Sequence, residues 1–496
     1  MTAYQSLEAR FRREALLDEA RAMLNWDTAT LMPEGAAPAR AEQIAMLKVL
    51  AHEILTAPLT EELLDAAERE TELDPWRRAN LHEMRRQWLH ATAVPPDLVE
   101  ALTKACSACE MVWRKARPAG DFALVRPALE EVLRRVRDVA AAKAARLGKS
   151  PYEALLDEYE PDGSTAAIDR LFGELATLLP GLIDAVLAHQ GARKPPLPLG
   201  KHFPIEQQRL LGVELMRRLG FDFDHGRLDI SLHPFCGGTP DDVRITTRYD
   251  EADFTRALMG VLHETGHALY ERGLPEAWRH QPVGAARGMS LHESQSLLVE
   301  MQACRSREFL EFSAPILRKA FGGNGPAWDA DNLYRVYTRV ERSFIRVDAD
   351  EVTYPAHVIL RYRLERAMIA GELTLADLPG AWNAGMRELL GITPPSDREG
   401  CLQDIHWYDG AWGYFPTYTL GAMTAAQLFA AAKRADPTIL PSIAKGDFAP
   451  LLRWLRAHIH GKGSLLSTDT LIREATGAPL GAAVFETHLR ERYLAS

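Results

Sequence analysis

DEADFTRALMGVLHETGHALYERG, residues 250–273, is the stretch from which the rest of the chain can be read. Phe254, Leu258, Val261, Leu262, Leu269 and Tyr270 recur at three- and four-residue steps, the spacing of one apolar helix face, and Gly273 ends the run. Asp250 is placed to cap the start, with Asp253 in the first turn. Within this helix stand His263 and His267, four apart and so on one face, where two imidazoles can reach the same metal ion. Glu264 flanks the pair without joining it. A carboxylate so placed can take the proton of a water attacking a carbonyl and pass it to the departing amine, the chemistry associated with the His-Glu-x-x-His pattern of zinc peptidases.

Two histidines leave a catalytic zinc one protein ligand short. The segment GMSLHESQ, residues 288–295, opens the next helix and offers Glu293 and the adjacent His292. Glu293 completes an open His₂Glu set that keeps a position for water. Ser290 and Glu293 also have the spacing of a capping box, which needs no metal. Residue types and spacing leave these alternatives open.

Composition narrows the classes. Of the 496 residues, 47% are hydrophobic and 25% charged, the balance of an ordinary globular protein with ample chain for a core. A formal net charge of −10 and a pI near 5.9 provide no basic field, which argues against a nucleic-acid partner. The first twenty residues, MTAYQSLEARFRREALLDEA, are charged throughout and lack the apolar core of a signal peptide. No uninterrupted apolar run reaches spanning length, so the expectation is a cytoplasmic protein without a membrane partner. The five cysteines are few and odd in number, as reduced thiols would be. Cys106 and Cys109, the close pair, fall within a helical pattern and lack a second such pair, so they read as helix rather than as a zinc or redox site.

Residues 1–190 read as helix after helix, with breaks at Met32-Pro33, Asp74-Pro75, Val94-Pro95-Pro96 and Ser150-Pro151. The segment GARKPPLPLG, residues 191–200, bars both helix and sheet. It divides an N-terminal helical lobe, 1–190, from a catalytic lobe, 191–496, within one continuous structural unit. Two strands are expected at 227–232 and 243–249, joined by a turn at Gly237-Gly238-Thr239-Pro240, which puts a small sheet just upstream of the histidine helix. The remainder is helical, broken at 321–326 and by a polar and aromatic loop at 393–415 that has the character of a lid or pocket wall.

Several separate stretches together resemble the carboxypeptidase Taq family of zinc metallocarboxypeptidases. They are His233-Pro234-Phe235, the run from Asp242 to Thr246, the His263 to His267 motif, His292-Glu293-Ser294-Gln295, the run from Ile345 to Asp350, and the run from Gly400 to Trp407. Trp26-Asp27, Met32-Pro33 and Pro151-Tyr152 are similar to the family's N-terminal half. The resemblance implies a mainly α-helical, two-lobed body with a deep active-site groove. It also implies a zinc enzyme, with cobalt a possible substitute, that removes C-terminal amino acids from peptides with a free C-terminus, and a homodimer. It assigns His263, His267 and Glu293 as metal ligands and Glu264 as general base, settling the third ligand.

The remaining motifs are weaker when read singly. Arg244 can pair with Asp242 on a strand, or hold a peptide's terminal carboxylate through its two-pronged head. His233, at a strand end, is as readily structural as substrate-facing. Arg346, read in a helix with Asp348 and Asp350, fits a solvated ion pair or a carboxylate clamp. His406 lies in an aromatic stretch with Trp407, Tyr408, Trp412, Tyr414 and Tyr418, which is core by default. Facing a groove, these groups can close its end, and Tyr418 is the candidate donor to the developing oxyanion. The alternatives are an endo-acting oligopeptidase with a groove open at both ends, and an inactive peptide-binding scaffold, against which the intact Glu264 argues.

Overall fold

The computed structural model describes residues 1–495. Among them are twenty α-helices and one three-stranded sheet, the mainly α-helical fold expected. The helices up to Gly191 begin and end where the punctuating residues place them. Asp74 caps Pro75–Ala93 by accepting from Arg77 N, and Ser150 caps Pro151–Leu156 by accepting from Glu153 N. The helix Thr165–Gly191 is long and apolar, but Asp169, Arg170, Glu174 and Asp184 interrupt it. Its apolar stripe from Ile168 to Val186 lies in the main core.

Two large apolar cores organise the molecule. One gathers Phe122–Leu147, Thr165–Gly191, Tyr354–Ala370, Leu378–Leu390 and Ala482–Leu494, and so draws on both sides of residue 190. The other gathers Ile205–Leu219, Phe254–Gly273, Arg307–Phe321 and Ala449–His458. The helix Pro416–Ala435 serves both. Its Leu420, Met423 and Ala426 face the first core, and Leu428, Phe429 and Ala432 the second. A smaller core joins Ala3–Thr30 to Pro58–Ala67 and Pro75–Ala93.

The sheet departs from the expected hairpin. Strand β1 (Gly226–Ile230) runs parallel to β3 (Asp242–Thr247), and between them in sequence is β2 (Cys236–Thr239), antiparallel to β3. The spatial order is β1-β3-β2. Gly237-Gly238-Thr239, expected as a turn, is therefore strand. Gly238 sits at φ 86° with the Asp242 carbonyl where a side chain would begin, so the glycine serves the tight approach of β2 to β3. The histidine helix spans Phe254–Gly273, and its cap is Asp253, which accepts from Thr255 N at 2.9 Å. Asp250 instead closes the preceding turn onto Ala252 N.

Candidate active site

The histidine helix and the helix Met289–Leu297 meet at Gly266. A Cβ there would stand 2.6 Å from the Gln295 carbonyl oxygen and from Ser296 Cα, so the bare glycine lets the two backbones touch. On the far side, Gly421 of Pro416–Ala435 gives way in the same manner to Glu293, whose Cβ and Cγ would lie 2.9 Å from an added methyl. Two glycines on flanking helices thus let Glu293 sit beside the histidine pair. The capping box that is the alternative reading of Ser290 and Glu293 does not form. The cap is Gly288, and Ser290 N donates to Glu160 Oε2 at 3.0 Å, so the Glu293 carboxylate takes no part in capping the helix.

Glu293 Oε2 lies 3.8 Å from His263 Nε2 and 3.5 Å from His267 Nε2, and the three donor atoms fall within 4.8 Å of one another. Four-coordinate zinc, with bonds of about 2.0–2.2 Å, spaces its ligands by roughly 3.3–3.6 Å, so the Glu293–His267 separation matches such an ion and the Glu293–His263 one would close by a few tenths of an ångström on binding it. His263 Nδ1 contacts Glu300 Oε2 at 3.0 Å, leaving Nε2 turned to the shared centre, and Glu300 in turn holds Arg305 at 2.6 Å. Glu300 belongs to the π-helical turn Leu298–Ala303, the kind of local widening that recurs at functional sites. His292 stands outside the donor set. Its Nε2 meets Glu271 Oε1 at 2.8 Å while its ring stacks on His267, centroids 4.6 Å apart.

The electrostatics follow from burial. Desolvation, reinforced by the charges of Glu293 and Glu300, raises Glu264 to about 7 against the pull of His263 and His292. Glu293 falls to about 2 despite its burial, because His263 and His267 favour its charge. Burial and the charge of His292 lower His267 to about 4. His263, opposed by burial, rises to about 10 through Glu293 and Glu300. These are directions in the metal-free protein, and a bound divalent cation reverses that of His263, since a ligating imidazole must be neutral. Among the described residues nothing hydrogen-bonds the Glu264 carboxylate, which is 8% exposed. Burial, reinforced by the charges of Glu264 and Glu271, raises the thiol of Cys236 in β2.

Arg346 corrects the sequence reading. It opens a 3₁₀ turn, Arg346–Asp348, and is buried rather than solvated. Its partner is Asp404, 58 residues away, whose Oδ1 accepts from Nε at 2.9 Å and from Nη2 at 2.8 Å. Asp404 Oδ2 accepts from Arg361 at 2.6 Å. Asp348 instead meets Arg256, and Asp350 accepts backbone N–H groups of Glu341, Val352 and Thr353. Two guanidiniums on one carboxylate leave the cluster with a surplus positive charge. Burial and those two cations lower His406 to about 4, against Asp404, so the imidazole is neutral. His406 Nε2 lies 3.2 Å from the Tyr418 hydroxyl, and the Arg346 head packs over the Tyr418 ring at 4.9 Å. Tyr418 shares its helix with Gly421, which lies against Glu293, so this wall stands beside the histidine pair. Tyr418, Tyr414 and Tyr354 are all held protonated by burial first.

Arg244 forms the first of its two alternative contacts, the pair with Asp242 at 3.0 and 2.6 Å, and stacks on Trp26 of the first helix at 4.5 Å. His233 is exposed, with only its carbonyl engaged, by the hydroxyls of Ser231 and Thr246. Cys106 and Cys109 are free thiols in the helix Pro96–Ala119, raised by burial to about 11 and 12. A cavity of about 900 Å³ adjoins the site, walled by Phe11, Glu14 and Asp18 of the first helix, by Thr239 and Pro240, and by His292. Sequence reading missed Glu300, Arg305, Asp404 and Arg361. Glu300 had a local signal, two helical turns beyond Glu293, and Arg305 follows it by five residues, whereas Asp404 and Arg361 are brought in by the fold.

A profile of the carboxypeptidase Taq (M32) metallopeptidases matches residues 6–493. The chain is 39% identical to thermostable carboxypeptidase 1 of Thermus thermophilus, over 99% of this chain and 98% of that one. It is 35% identical to carboxypeptidase 1 of Bacillus subtilis, over 97% and 96%. Among solved structures, metallocarboxypeptidase 1 of Trypanosoma cruzi superposes with a TM-score of 0.97 at 41% identity over 99% of each chain. The M32 carboxypeptidase of Deinococcus radiodurans does so with a TM-score of 0.93 at 37% identity, over 99% and 98%. Likeness that runs nearly end to end in both sequence and shape places the chain in the carboxypeptidase Taq (M32) family of metallopeptidases, hydrolases that act at the C-terminus of peptides.

Proposed function

We propose that the enzyme uses zinc, with cobalt as a possible substitute, held by His263, His267 and Glu293, and that it releases C-terminal residues of broad side-chain type. The observation that carries this is the convergence of two imidazoles and one carboxylate, their ligand atoms within 4.8 Å of one another, with the unengaged Glu264 carboxylate one residue from His263. When bound, the ion supplies Lewis acidity to the scissile carbonyl and acidity to water. Glu264 takes the proton of the attacking water and delivers it to the leaving amine. Glu300 fixes the ring of His263. Tyr418, kept protonated by burial, is the donor proposed for the developing oxyanion.

A terminal carboxylate must shed its water to enter the groove and needs positive charge or several donors there. The surplus charge of Arg346 and Arg361 over Asp404, beside the neutral His406, supports recognition at that wall. Arg244, already matched by Asp242, and His233, exposed at the sheet's end, are proposed only for outer contacts with the peptide. The cavity of about 900 Å³, with apolar and charged lining, supports broad acceptance of side chains. A cytoplasmic location and a homodimer complete the proposal, the first from the few and odd-numbered cysteines, the second from the family resemblance. The test is metal analysis of the purified protein together with mass spectrometry of peptide digests. About one zinc per chain and stepwise loss from free-acid peptides but not C-terminal amides is expected. Metal-free active enzyme, or equal turnover of amides, refutes the reading.

A further inference from the structure

Away from the histidine pair, a second cavity of about 650 Å³ opens at the carboxyl end of the helix Thr165–Gly191, against the segment 193–196, the helix Ala330–Tyr337 and the end of Ala482–Leu494. The chain carries a net −10, yet Arg193, Lys194, Arg307, Arg335 and Arg339 all line this one concavity, with Asp331 as the only carboxylate in the described lining. A further lining arginine, Arg492, is spent on Glu351 at 3.0 Å and on the Met301 carbonyl. Arg307 meets Asp331 at 3.1 Å and Arg339 meets Glu341 at 3.2 Å, both exposed pairs of the kind that exchange readily with solvent or a ligand. Among the described residues, Arg193, Lys194 and Arg335 have no carboxylate within 4.0 Å. Arg335 makes only long contacts, 3.3 to 3.5 Å, to two carbonyl oxygens and Asn332 Oδ1.

Like charges gathered in one concavity repel one another, and the focused field is relieved by an anion. Guanidinium forks match phosphoryl oxygens two at a time. His189 adds a polar feature below the rim: its Nε2 is buried in the lining with no partner among the described residues. Val186, Leu187, Pro195 and Pro196 supply an apolar wall. The volume lies in the range of small-molecule sites, about 300–1,000 Å³, so a lone phosphate would leave most of the cavity and most of the cations unused.

We propose that this cavity binds a small polyphosphate anion, with Arg193, Lys194 and Arg335 on the phosphoryl groups and the apolar wall against an organic body when the ligand carries one. The chemistry is shared by nucleoside polyphosphates and inorganic polyphosphate, and the two are separable by experiment.

The test is calorimetric titration of the full-length, metal-loaded enzyme with ATP, inorganic triphosphate and adenosine, at low and at raised salt. Saturable binding of ATP or triphosphate at one site per chain is expected, weakening with salt, with none for adenosine. Tighter binding of ATP identifies the organic ester as the source, and equal binding identifies the inorganic chain. The variant R193A/R335A should bind at least about tenfold more weakly, the loss of one charge-assisted hydrogen bond, while its peptide hydrolysis is unchanged. Should that variant fold poorly, K194A, on an exposed side chain, is held to the same criterion. Absence of saturable binding overturns the proposal. So does binding that is equally tight in the variants, because the anion would then be held elsewhere, for instance at the metal.

Discussion

Replacing Glu300 should loosen the metal without touching a ligand. Its carboxylate bridges two groups, His263 Nδ1 at 3.0 Å and Arg305 Nη2 at 2.6 Å, and is itself 8% exposed. Glu300→Ala removes the acceptor that fixes the His263 ring, a loss of about 10–100-fold in metal affinity, or roughly 1.4–2.7 kcal/mol. It also leaves the Arg305 guanidinium with only the Tyr337 carbonyl at 3.3 Å. Breaking one side of a buried pair costs about 3–5 kcal/mol. Arg305 retains 15% exposure, so the lower end of that range applies. Glu300→Gln keeps the shape and one acceptor oxygen and should fall between wild type and alanine on both measures. Zinc affinity is read by competition with a chromophoric chelator and stability by urea denaturation of the metal-loaded and metal-free forms. A folded Glu300→Ala protein whose zinc affinity equals that of wild type would show that packing alone orients His263, and the argument would fail.

Glu264→Gln should keep its metal while losing about 10²–10⁴-fold in turnover, because the amide cannot take up the proton; metal analysis beside steady-state kinetics checks both halves. Glu293→Ala should lose the metal and His292→Ala largely retain it, since only Glu293 faces both imidazoles, and the reverse outcome in metal analysis would exchange their roles. Gly266→Ala places a methyl 2.6 Å from the Gln295 carbonyl oxygen and should destabilise by about 1–3 kcal/mol or more while prising Glu293 from the histidines, so denaturation midpoint and metal content should fall together. Asp157 is 1% exposed and, although burial opposes it, hydrogen bonds from His90 and Lys149 hold it below the usual carboxylate range. A depressed folded value contributes stability above the unfolded pKa of about 3.9 and loses it as pH falls toward the folded value, so Asp157→Asn should cost more in urea denaturation at pH 7 than at pH 3. An equal cost at both would refute the linkage.

The parts of the fold that sequence made legible are those fixed within a few residues. Asp74, Ser150 and Pro151 mark helix starts through contacts inside a single turn, and the apolar stripe from Phe254 to Tyr270 fixes a face by its period. The Gly237-Gly238 pair misled because glycine serves equally a turn and a strand pressed against its neighbour, and only the position of β3 decides between them. The cap of the histidine helix moved from Asp250 to Asp253 for a similar reason. Both aspartates accept a nearby backbone N–H, and the length of the preceding turn decides which one begins the helix.

In the site, His263 and His267 were legible because a helix fixes their relation by itself. Glu293 needed the family resemblance because its approach depends on Gly266 and Gly421, which act by the absence of a side chain and leave no positive mark in a sequence. Arg346 shows the limit most plainly. Read locally it belonged with Asp348 and Asp350, a solvated pair of little consequence. The fold carries it to Asp404 and sets Arg361 on the other carboxylate oxygen, so three residues from three segments form a buried unit with one positive charge in excess. Had Asp404 met a single arginine, the wall beside His406 would be neutral and a peptide's carboxylate would find no charge to replace its water. The second guanidinium is therefore what turns a structural ion pair into a candidate recognition site, and its partner is visible only once the chain has folded.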